Sequence, residues 1–234
     1  MGKKIAIMQP YFFPYIGYFQ LINAVDKFII YDDVNFINRG WVNRNNLMSN
    51  GNKLLVTVPL KKSSQNKLIN EVEISYEVDW KGKFIKVFES LYKKSPYFNE
   101  VIELVGSIFE NNFKYISELN FFSIKSICVY LDIKTEILNT TCIFENRDLK
   151  GQDRIIDICK RENAANYINP IGGIDLYDSS FFKLNGIELK FIKSNILEYN
   201  QYKFDFVPWL SILDILFFNG KAKTKLMLNE YQLI

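Results

Sequence analysis

The N-terminal segment Lys4–Asn45 constrains the fold most, because it places a helical pattern between two strand patterns. Lys4–Met8 is a short apolar run without clear alternation, which is typical of a strand buried on both faces of a parallel sheet. Tyr15–Val25 has apolar residues at helical spacing, and Lys27–Tyr31 is a second run rich in β-branched and aromatic residues. The segment therefore predicts a βαβ unit.

Polar side chains follow both predicted strands. Gln9 follows the first strand, and Asp32 and Asp33 follow the second. The strands of a βαβ unit point the same way, so these residues should meet at the carboxyl edge, where open α/β sheets bind ligands. We expect Gln9, Asp32 and Asp33 to be catalytic. A structural carboxylate, or for Asp33 a cap or turn, is the alternative.

The loop between Gln9 and the predicted helix is too aromatic for an ordinary solvated turn. It predicts the floor of a pocket, in which Tyr11, Tyr15 and Tyr18 bind substrate. For Phe12 and Phe13 we favour a place in the hydrophobic core over the pocket.

Scarce arginines follow the aspartates. Of the 29 Lys and Arg residues only five are Arg, and Arg39 and Arg44 both lie in RGWVNRN. Guanidinium groups beside Trp41, Asn43 and Asn45 suit bidentate recognition of a phosphate or carboxylate, although a solvated turn would also explain them. We expect this segment to fold over the sheet edge and to bring Arg39 or Arg44 close to a carboxylate, whose pKa it would lower.

The rest of the chain predicts mixed α/β structure. Asn50-Gly51 between two strand-like runs indicates a β-hairpin formed by Trp41–Met48 and Lys53–Leu60. The other predicted elements are strands at Asn70–Ser75, Lys134–Thr140, Ala165–Ile168 and Gly186–Lys193, and helices at Asp79–Lys93, Asn99–Asn111, Ser117–Leu131, Gln152–Glu162 and Pro208–Phe218.

The predicted fold class is therefore α/β. An N-terminal βαβ unit joins a mostly parallel or mixed sheet, a helical subregion covers about residues 79–132, and an apolar helix lies near the C-terminus. With 234 residues, 48% of them hydrophobic, we expect one domain spanning 1–234.

Three residues of the YINPIGG turn are further candidates for substrate binding. Gly172 and Gly173 permit either close backbone approach to a ligand or a simple chain reversal, and Asn169 adds an amide beside them.

Two positions in the second half predict buried polar contacts. Asp214 lies in the apolar run SILDILFF, where an ionised carboxylate needs a partner, and we favour structural pairing over catalysis. Asp153 and Arg154 are adjacent on a predicted helix, so they should face separate partners.

Composition excludes several classes of site. The chain has no histidine, which rules out Ser-His-Asp and Cys-His catalysis and a His-based zinc site. Cys128, Cys142 and Cys159 are widely spaced and odd in number, so we expect reduced core residues rather than disulfides or a CxxC metal site. Adjacent strand residues point to opposite faces, so the two aspartates make a poor chelating pair, and no metal is expected.

Charge and hydropathy limit the kinds of partner that the sequence predicts. A net charge of +3, spread over lysines, predicts no nucleic-acid footprint. No segment approaches a membrane-spanning apolar run, and the N-terminus leads into a strand. We therefore expect a cytoplasmic protein without membrane insertion.

A series of motifs resembles the WbqC-like protein family. The resemblance runs in order over nearly the whole chain, through MQPYFFPYIGYFQLI, YDDV, RGWVNRN, TVPL, YINPIGG and WLSILDILFFN. Many members have a histidine before the first Gln-Pro, where this chain has Met8. The family is known chiefly from gene clusters for O-antigen and related surface polysaccharides such as lipopolysaccharide, and a glycine transferase role has been suggested for some members.

The resemblance implies an N-acyl or aminoacyl transferase. Its substrate would be a nucleotide-linked amino sugar, for instance a dTDP-linked one, and its donor a glycyl or other small acyl group. The cofactor is unknown, since free glycine with ATP, acyl-CoA and charged tRNA are all compatible donors. No nucleic-acid partner is expected unless charged tRNA is the donor. The alternative is a non-catalytic protein of the same pathway that binds a nucleotide sugar or acts as a scaffold.

A second resemblance concerns Pro14–Tyr18. This turn is similar to that of nucleotidylyltransferases and pantoate ligases, which have Gly-His where this chain has Gly17-Tyr18. It implies acyl-adenylate formation followed by attack of an amine.

Overall fold

A computed structural model describes residues 2–234 and contains eight strands and seven α-helices in that range. The strands are β1 (Lys3–Met8), β2 (Lys27–Ile30), β3 (Arg44–Ser49), β4 (Asn52–Thr57), β5 (Glu136–Leu138), β6 (Ala164–Pro170), β7 (Glu188–Ser194) and β8 (Tyr231–Leu233). The helices are α1 (Ile16–Asn23), α2 (Trp80–Tyr92), α3 (Phe98–Phe109), α4 (Ile116–Tyr130), α5 (Gly151–Arg161), α6 (Ser179–Leu184) and α7 (Ile212–Met227). Short 3₁₀ helices occupy Ile69–Glu71, Cys142–Phe144 and Ile171–Leu176.

Six strands form one mostly parallel sheet in the order β5-β2-β1-β6-β7-β8, in which only β8 is antiparallel to its neighbour. β1 and β2 are parallel with Met8 opposite Ile30, which confirms the predicted βαβ unit and the α/β fold class. Counted along the chain, the sheet order is 3-2-1-4-5-6. Chain connections leave β1 in one direction and β6 in the other, so the topological switch point lies between these two strands.

The sheet is covered on both faces. One face packs against α1, α7 and the middle helices in a single hydrophobic cluster, which includes Phe28, Phe88 and Phe217. The other face packs against α5 and α6 around Ile155 and Phe182. Within residues 2–234, no helix is long and apolar enough to cross a membrane.

The predicted hairpin is confirmed, although its first strand begins at Arg44 rather than Trp41. Asn50 (φ 49°) and Gly51 (φ 76°) both have the left-handed backbone that a two-residue hairpin turn requires.

One predicted strand and both ends of the predicted C-terminal helix are wrong. Asn70–Ser75 forms no strand, because Glu73 and Ile74 make only isolated bridges to Tyr115 and Leu60, and no neighbouring strand runs beside them. The C-terminal helix begins at Ile212 rather than Pro208, since the Ser211 hydroxyl accepts a hydrogen bond from the N–H of Leu213 and caps the helix. It also continues past Phe218 to Met227, across a kink at Gly220.

Cysteine placement differs from expectation at one position. Cys128 and Cys159 are buried and unpaired, and burial raises the pKa of each thiol to about 12. Cys142 is exposed, so the prediction of a core cysteine is wrong there. It begins the 3₁₀ turn Cys142–Phe144, whose core contact is Phe144 instead.

Asp214 is fully buried and structurally paired, as predicted. Its carboxylate accepts hydrogen bonds from the hydroxyls of Tyr92 (2.7 Å) and Tyr199 (2.6 Å) and from the amide of Gln201 (2.8 Å). Burial raises its pKa and these three donors oppose the rise. The network fixes the start of the segment joining β7 to α7, residues 195–210, hereafter the strap.

Removing the Tyr92 hydroxyl tests this network. Tyr92 also accepts a hydrogen bond from the N–H of Met48 (3.0 Å), so Tyr92→Phe leaves one buried donor and one carboxylate oxygen without a partner. We expect the free energy of unfolding to fall by about 1.5–3 kcal/mol. Tyr202→Phe is the matched control, because its half-buried hydroxyl donates only to the carbonyl of Leu91 (3.1 Å). Equal losses in chemical denaturation would contradict the assignment.

Candidate functional site

Four of the polar residues that the sequence singled out lie at the carboxyl edge of the sheet. Gln9 follows β1, while Asp32 and Asp33 follow β2 on the same edge, as predicted. The N–H of Tyr31 donates to the carbonyl of Met8 (2.8 Å), which keeps the two strand ends in register. Asn169 lies at the end of β6, across the switch point from Gln9.

An aromatic pocket lies beside this edge. Its volume is about 320 Å³, and its lining consists of Tyr11, Pro14, Tyr15, Trp41, Asn45 and Trp209. Trp41 is 43% exposed and Trp209 49% exposed, whereas the third tryptophan of the chain, Trp80, is buried. Large exposed indole rings facing one cavity are typical of a ligand-binding surface.

Backbone contacts hold the Trp41 wall against the aromatic loop. The N–H of Phe12 donates to the carbonyl of Trp41 (3.0 Å). The buried amide of Asn45 donates to the carbonyls of Phe12 (3.0 Å) and Phe13 (2.8 Å). RGWVNRN therefore folds back over the aromatic loop that follows β1, and the asparagine stabilises the pocket wall.

Asn120 of α4 ties the same two segments together. Its buried amide donates to the carbonyls of Pro10 (3.0 Å) and Val42 (2.7 Å). The aromatic loop and the Trp41 wall of the pocket are thus both held by one helix.

The strap supplies the opposite wall. The Ser211 hydroxyl donates to the carbonyl of Phe13 (2.8 Å), and the N–H of Ile212 donates to the carbonyl of Pro14 (2.9 Å). Trp209 precedes these contacts with a left-handed backbone (φ 61°), and its ring meets that of Tyr15 edge-on at 5.9 Å. A non-glycine residue in this conformation costs about 1–3 kcal/mol, and such strain clusters at ligand-binding sites.

Other predicted substrate-binding residues have structural contacts. Tyr18 is fully buried, and its hydroxyl donates to the carbonyl of Gln9 (3.0 Å). Asn43 donates to the carbonyl of Val58 (2.9 Å). Arg44 donates to the carbonyls of Gly40 (3.0 Å) and Arg39, bracing the turn that presents Trp41, and Arg39 itself is exposed.

The YINPIGG turn lies at the far side of the switch point. Asn169 is buried and accepts a hydrogen bond from the Tyr167 hydroxyl (3.3 Å). The amide of Asn169 occupies the space that a Cβ of Gly173 would fill. Gly172 is exposed and has open space around it. Substrate contacts by these three residues remain predictions.

Asp33 is paired with a different arginine from the one expected. Arg154 of α5 donates to its carboxylate (2.6 Å), and the side chains are 4% and 0% exposed. Thr141 donates to the other carboxylate oxygen. The prediction that Arg39 or Arg44 pairs with a carboxylate here is therefore wrong, and Asp33 is held by buried partners on both of its oxygens.

Asp32 has a different environment. It is 5% exposed, and one oxygen accepts hydrogen bonds from the Thr140 hydroxyl (2.6 Å) and the N–H of Thr141 (3.3 Å). Burial raises the pKa of the Asp32 carboxyl more than these hydrogen bonds lower it. The expected lowered pKa is thus wrong for Asp32. A carboxylate with a raised pKa is better suited to accepting a proton.

Sequence reasoning missed three residues at this edge. The predicted C-terminal helix includes Trp209, the predicted strand Lys134–Thr140 ends at Thr140, and Thr141 lies outside the predicted elements. The sequence offers one signal for Trp209, which is that the chain has only three tryptophans. Two of them, Trp41 and Trp209, line the same pocket. The threonines gave no signal.

Comparisons with known proteins agree with the motif pattern. A family model described as WbqC-like protein family matches residues 9–226. The chain is 32% identical over 218 residues to a protein described as uncharacterized protein Rv1507c of Mycobacterium tuberculosis (strain ATCC 25618 / H37Rv). That match covers 92% of this chain and 93% of the relative. No solved structure matches the chain significantly.

Proposed function

Because the chain belongs to the WbqC-like protein family, we propose that it transfers a glycyl or other small acyl group to the amine of a nucleotide-linked amino sugar. The reaction would serve the synthesis of O-antigen or a related surface polysaccharide. The observation that carries the proposal is the aromatic pocket beside the carboxyl edge of the sheet, flanked by Trp41 and Trp209.

The pocket suits a flat ring more than a charged group. Five of its six lining side chains are aromatic or proline, and the amide nitrogen of the sixth, Asn45, is occupied by backbone carbonyls. Stacking on such rings contributes about 1–3 kcal/mol per base. A nucleobase or the apolar face of a sugar would satisfy this lining, with the exposed Arg39 close in sequence to attract phosphate.

Asp32 is the carboxylate available for chemistry. Asp33 is occupied by Arg154 and Thr141, whereas Asp32 keeps one oxygen free of partners among residues 2–234. In the proposed step the sugar amine attacks the acyl carbonyl, the new C–N bond forms and the bond to the donor's leaving group breaks. Asp32 accepts the proton that the amine loses.

The same lining supports one alternative, a protein that binds a nucleotide sugar without transforming it. The aromatic pocket itself offers stacking and no free acid or base. The two functions differ in whether purified protein changes the mass of its ligand.

Alanine at either exposed tryptophan tests the proposal. With a dTDP-amino sugar and a panel of donors (free glycine with ATP, charged tRNA, acyl-CoA), we expect acylated product by mass spectrometry. Trp41→Ala and Trp209→Ala should each raise KM for the sugar nucleotide about 5- to 150-fold, the equivalent of 1–3 kcal/mol of stacking. Both side chains are about half exposed, so the melting temperature should change little.

Leu184→Ala is the matched control, because Leu184 is 84% exposed and lies on α6, outside the pocket lining. Saturable binding without any product from the full donor panel would favour the binding function. Binding that both tryptophan variants leave intact would overturn the assignment of the pocket.

A further inference from the structure

A second cavity opens at the same sheet edge, on the side of β5. It has a volume of about 320 Å³, and its polar lining includes Asp32, Asn70, Ser117, Glu118, Asn139 and Thr140. None of these residues except Asp32 was singled out from the sequence as functional. The segments after β2 and β5 and the start of α4 form its walls.

A buried, half-partnered carboxylate faces this cavity. Both hydrogen bonds to Asp32 reach Oδ1, from Thr140 and Thr141. The second oxygen, Oδ2, accepts no side-chain or loop hydrogen bond from residues 2–234, although the residue is only 5% exposed. Oδ2 is not among the buried side-chain oxygens that lack a partner, so it is in contact with the solvent of the cavity. A donor group of a ligand that enters the cavity can therefore reach Oδ2.

The rest of the lining is suited to a positively charged amine. Glu118 is a second acid, and the aromatic residues Phe113, Tyr115, Phe121 and Phe122 complete the wall. Ring faces and carboxylates together favour an ammonium group. A divalent metal would need about six oxygen ligands, and among residues 2–234 no group of three or more Asp, Glu, Cys and His side chains is placed to hold one.

Two lysines lie near these rings and do not fill the site. Lys114 Nζ is 4.8 Å from the ring centroid of Tyr115, and Lys125 Nζ is 5.8 Å from that of Phe121. Both side chains are exposed, so solvent screens their charge. Neither lysine forms an ion pair with Asp32.

We propose that this Asp32 cavity is a binding site for a primary ammonium group, with Asp32 Oδ2 as its acceptor. The site deepens the proposed function, and its role in that reaction rests on it. The amine to be acylated would enter here as an ammonium group and lose one proton to Asp32 before it attacks the acyl carbonyl, and its second proton would leave with the leaving group of the donor. Ser117 lines the cavity, and Asn120, one turn later on α4, holds the loop of the aromatic pocket. A rise of about 1.5 Å per residue places these two α4 positions about 4.5 Å apart along the helix. Helix α4 therefore supports both the Asp32 cavity and the loop of the aromatic pocket.

The binding experiment uses simple probes and requires no turnover. Cyclohexylammonium and its neutral counterpart cyclohexanol are titrated into ¹⁵N-labelled protein at constant ionic strength and neutral pH. We expect saturable shifts of the Asn70 and Asn139 side-chain amides and the Thr141 N–H with the amine. Its Kd should be at least tenfold lower than that of the alcohol.

Two variants locate the charge and the cavity. Asp32→Asn keeps the size of the side chain, and it should raise the Kd of the amine at least tenfold without affecting the alcohol. Asn139→Trp adds a bulky ring at an exposed lining position, so it should block both probes even if Asp32→Asn folds poorly. Asp148→Asn, at an exposed position outside the cavity lining, is the charge control.

Equal affinity for amine and alcohol, shifts remote from the cavity, or amine binding unchanged in both variants would overturn the ammonium site. Loss of the site with product formation and tryptophan dependence intact would leave the proposed function standing. Amine binding as expected in a protein that forms no product would remove the proposed function and keep this site.

Discussion

Arg154→Met is expected to lower the free energy of unfolding by about 3–5 kcal/mol, because it leaves Asp33 charged and buried without its cation. The guanidinium and the carboxylate are 2.6 Å apart, and the two side chains are 4% and 0% exposed. The guanidinium also lies 5.0 Å from the ring centroid of Tyr31 and donates to Asn146 (3.0 Å), and both contacts would be lost. Chemical denaturation of wild type and variant measures the difference.

Arg161→Met on the same helix is the matched control. Its ion pair with Asp157 is an i,i+4 pair in which the Arg161 side chain is 50% exposed, and it also donates to the carbonyl of Phe144 (2.6 Å). Exposed pairs contribute about 0–1 kcal/mol, so the control should lose far less than Arg154→Met. Similar losses for both variants would show that burial of the Arg154 pair does not decide its contribution.

Local sequence patterns predicted most of the secondary structure correctly. The βαβ unit, the Asn50-Gly51 hairpin and the middle helices each depend on spacing or turn chemistry within a short window, and all three are present. The segment Asn70–Ser75 failed because alternation shows which side chains are buried, here Val72 and Ile74, but not whether a partner strand exists. Strand pairing is a tertiary property.

The candidate site was predicted in part. Gln9 and Asp32 share an edge because parallel strands must end together, and the aromatic loop does line a pocket. The arginine that pairs with Asp33 lies 121 positions later in the chain. Nothing in the spacing of RGWVNRN could favour Arg154 over Arg39 or Arg44. Thr140, Thr141 and Trp209 join the edge in the same way, through long-range contacts.

Adjacent aspartates consequently have opposite environments. The side chain of Asp33 is fully buried and satisfied on both oxygens, which is typical of a structural carboxylate. Asp32 has one oxygen held by Thr140 and Thr141 and a second that faces a cavity. Substitution by asparagine should therefore separate stability from activity at neighbouring positions.

Asp32→Asn is expected to lower kcat of the proposed transfer by roughly 100- to 10,000-fold, the usual contribution of a general base. Because burial raises the pKa of Asp32, the wild-type rate should fall as the pH decreases through a midpoint above the ordinary value of an aspartate, since the protonated carboxyl cannot accept a proton. The variant should lose this limb of the pH profile. Steady-state rates measured across the acid range check both expectations.

The same Asp32→Asn substitution should not lower the free energy of unfolding at neutral pH. A raised pKa means that the folded protein binds this proton more tightly than the unfolded chain, so the stability that the group contributes is present at low pH and lost as the pH rises through the folded pKa. Asparagine is neutral at every pH and has no such loss of stability, and its carbonyl can still accept hydrogen bonds from Thr140 and Thr141. At neutral pH Asp32→Asn should therefore be at least as stable as wild type, whereas Asp33→Asn weakens a buried ion pair and should be markedly less stable.

An Asp32→Asn protein that keeps its activity, or loses activity only in proportion to lost folding, would remove Asp32 from the catalytic site.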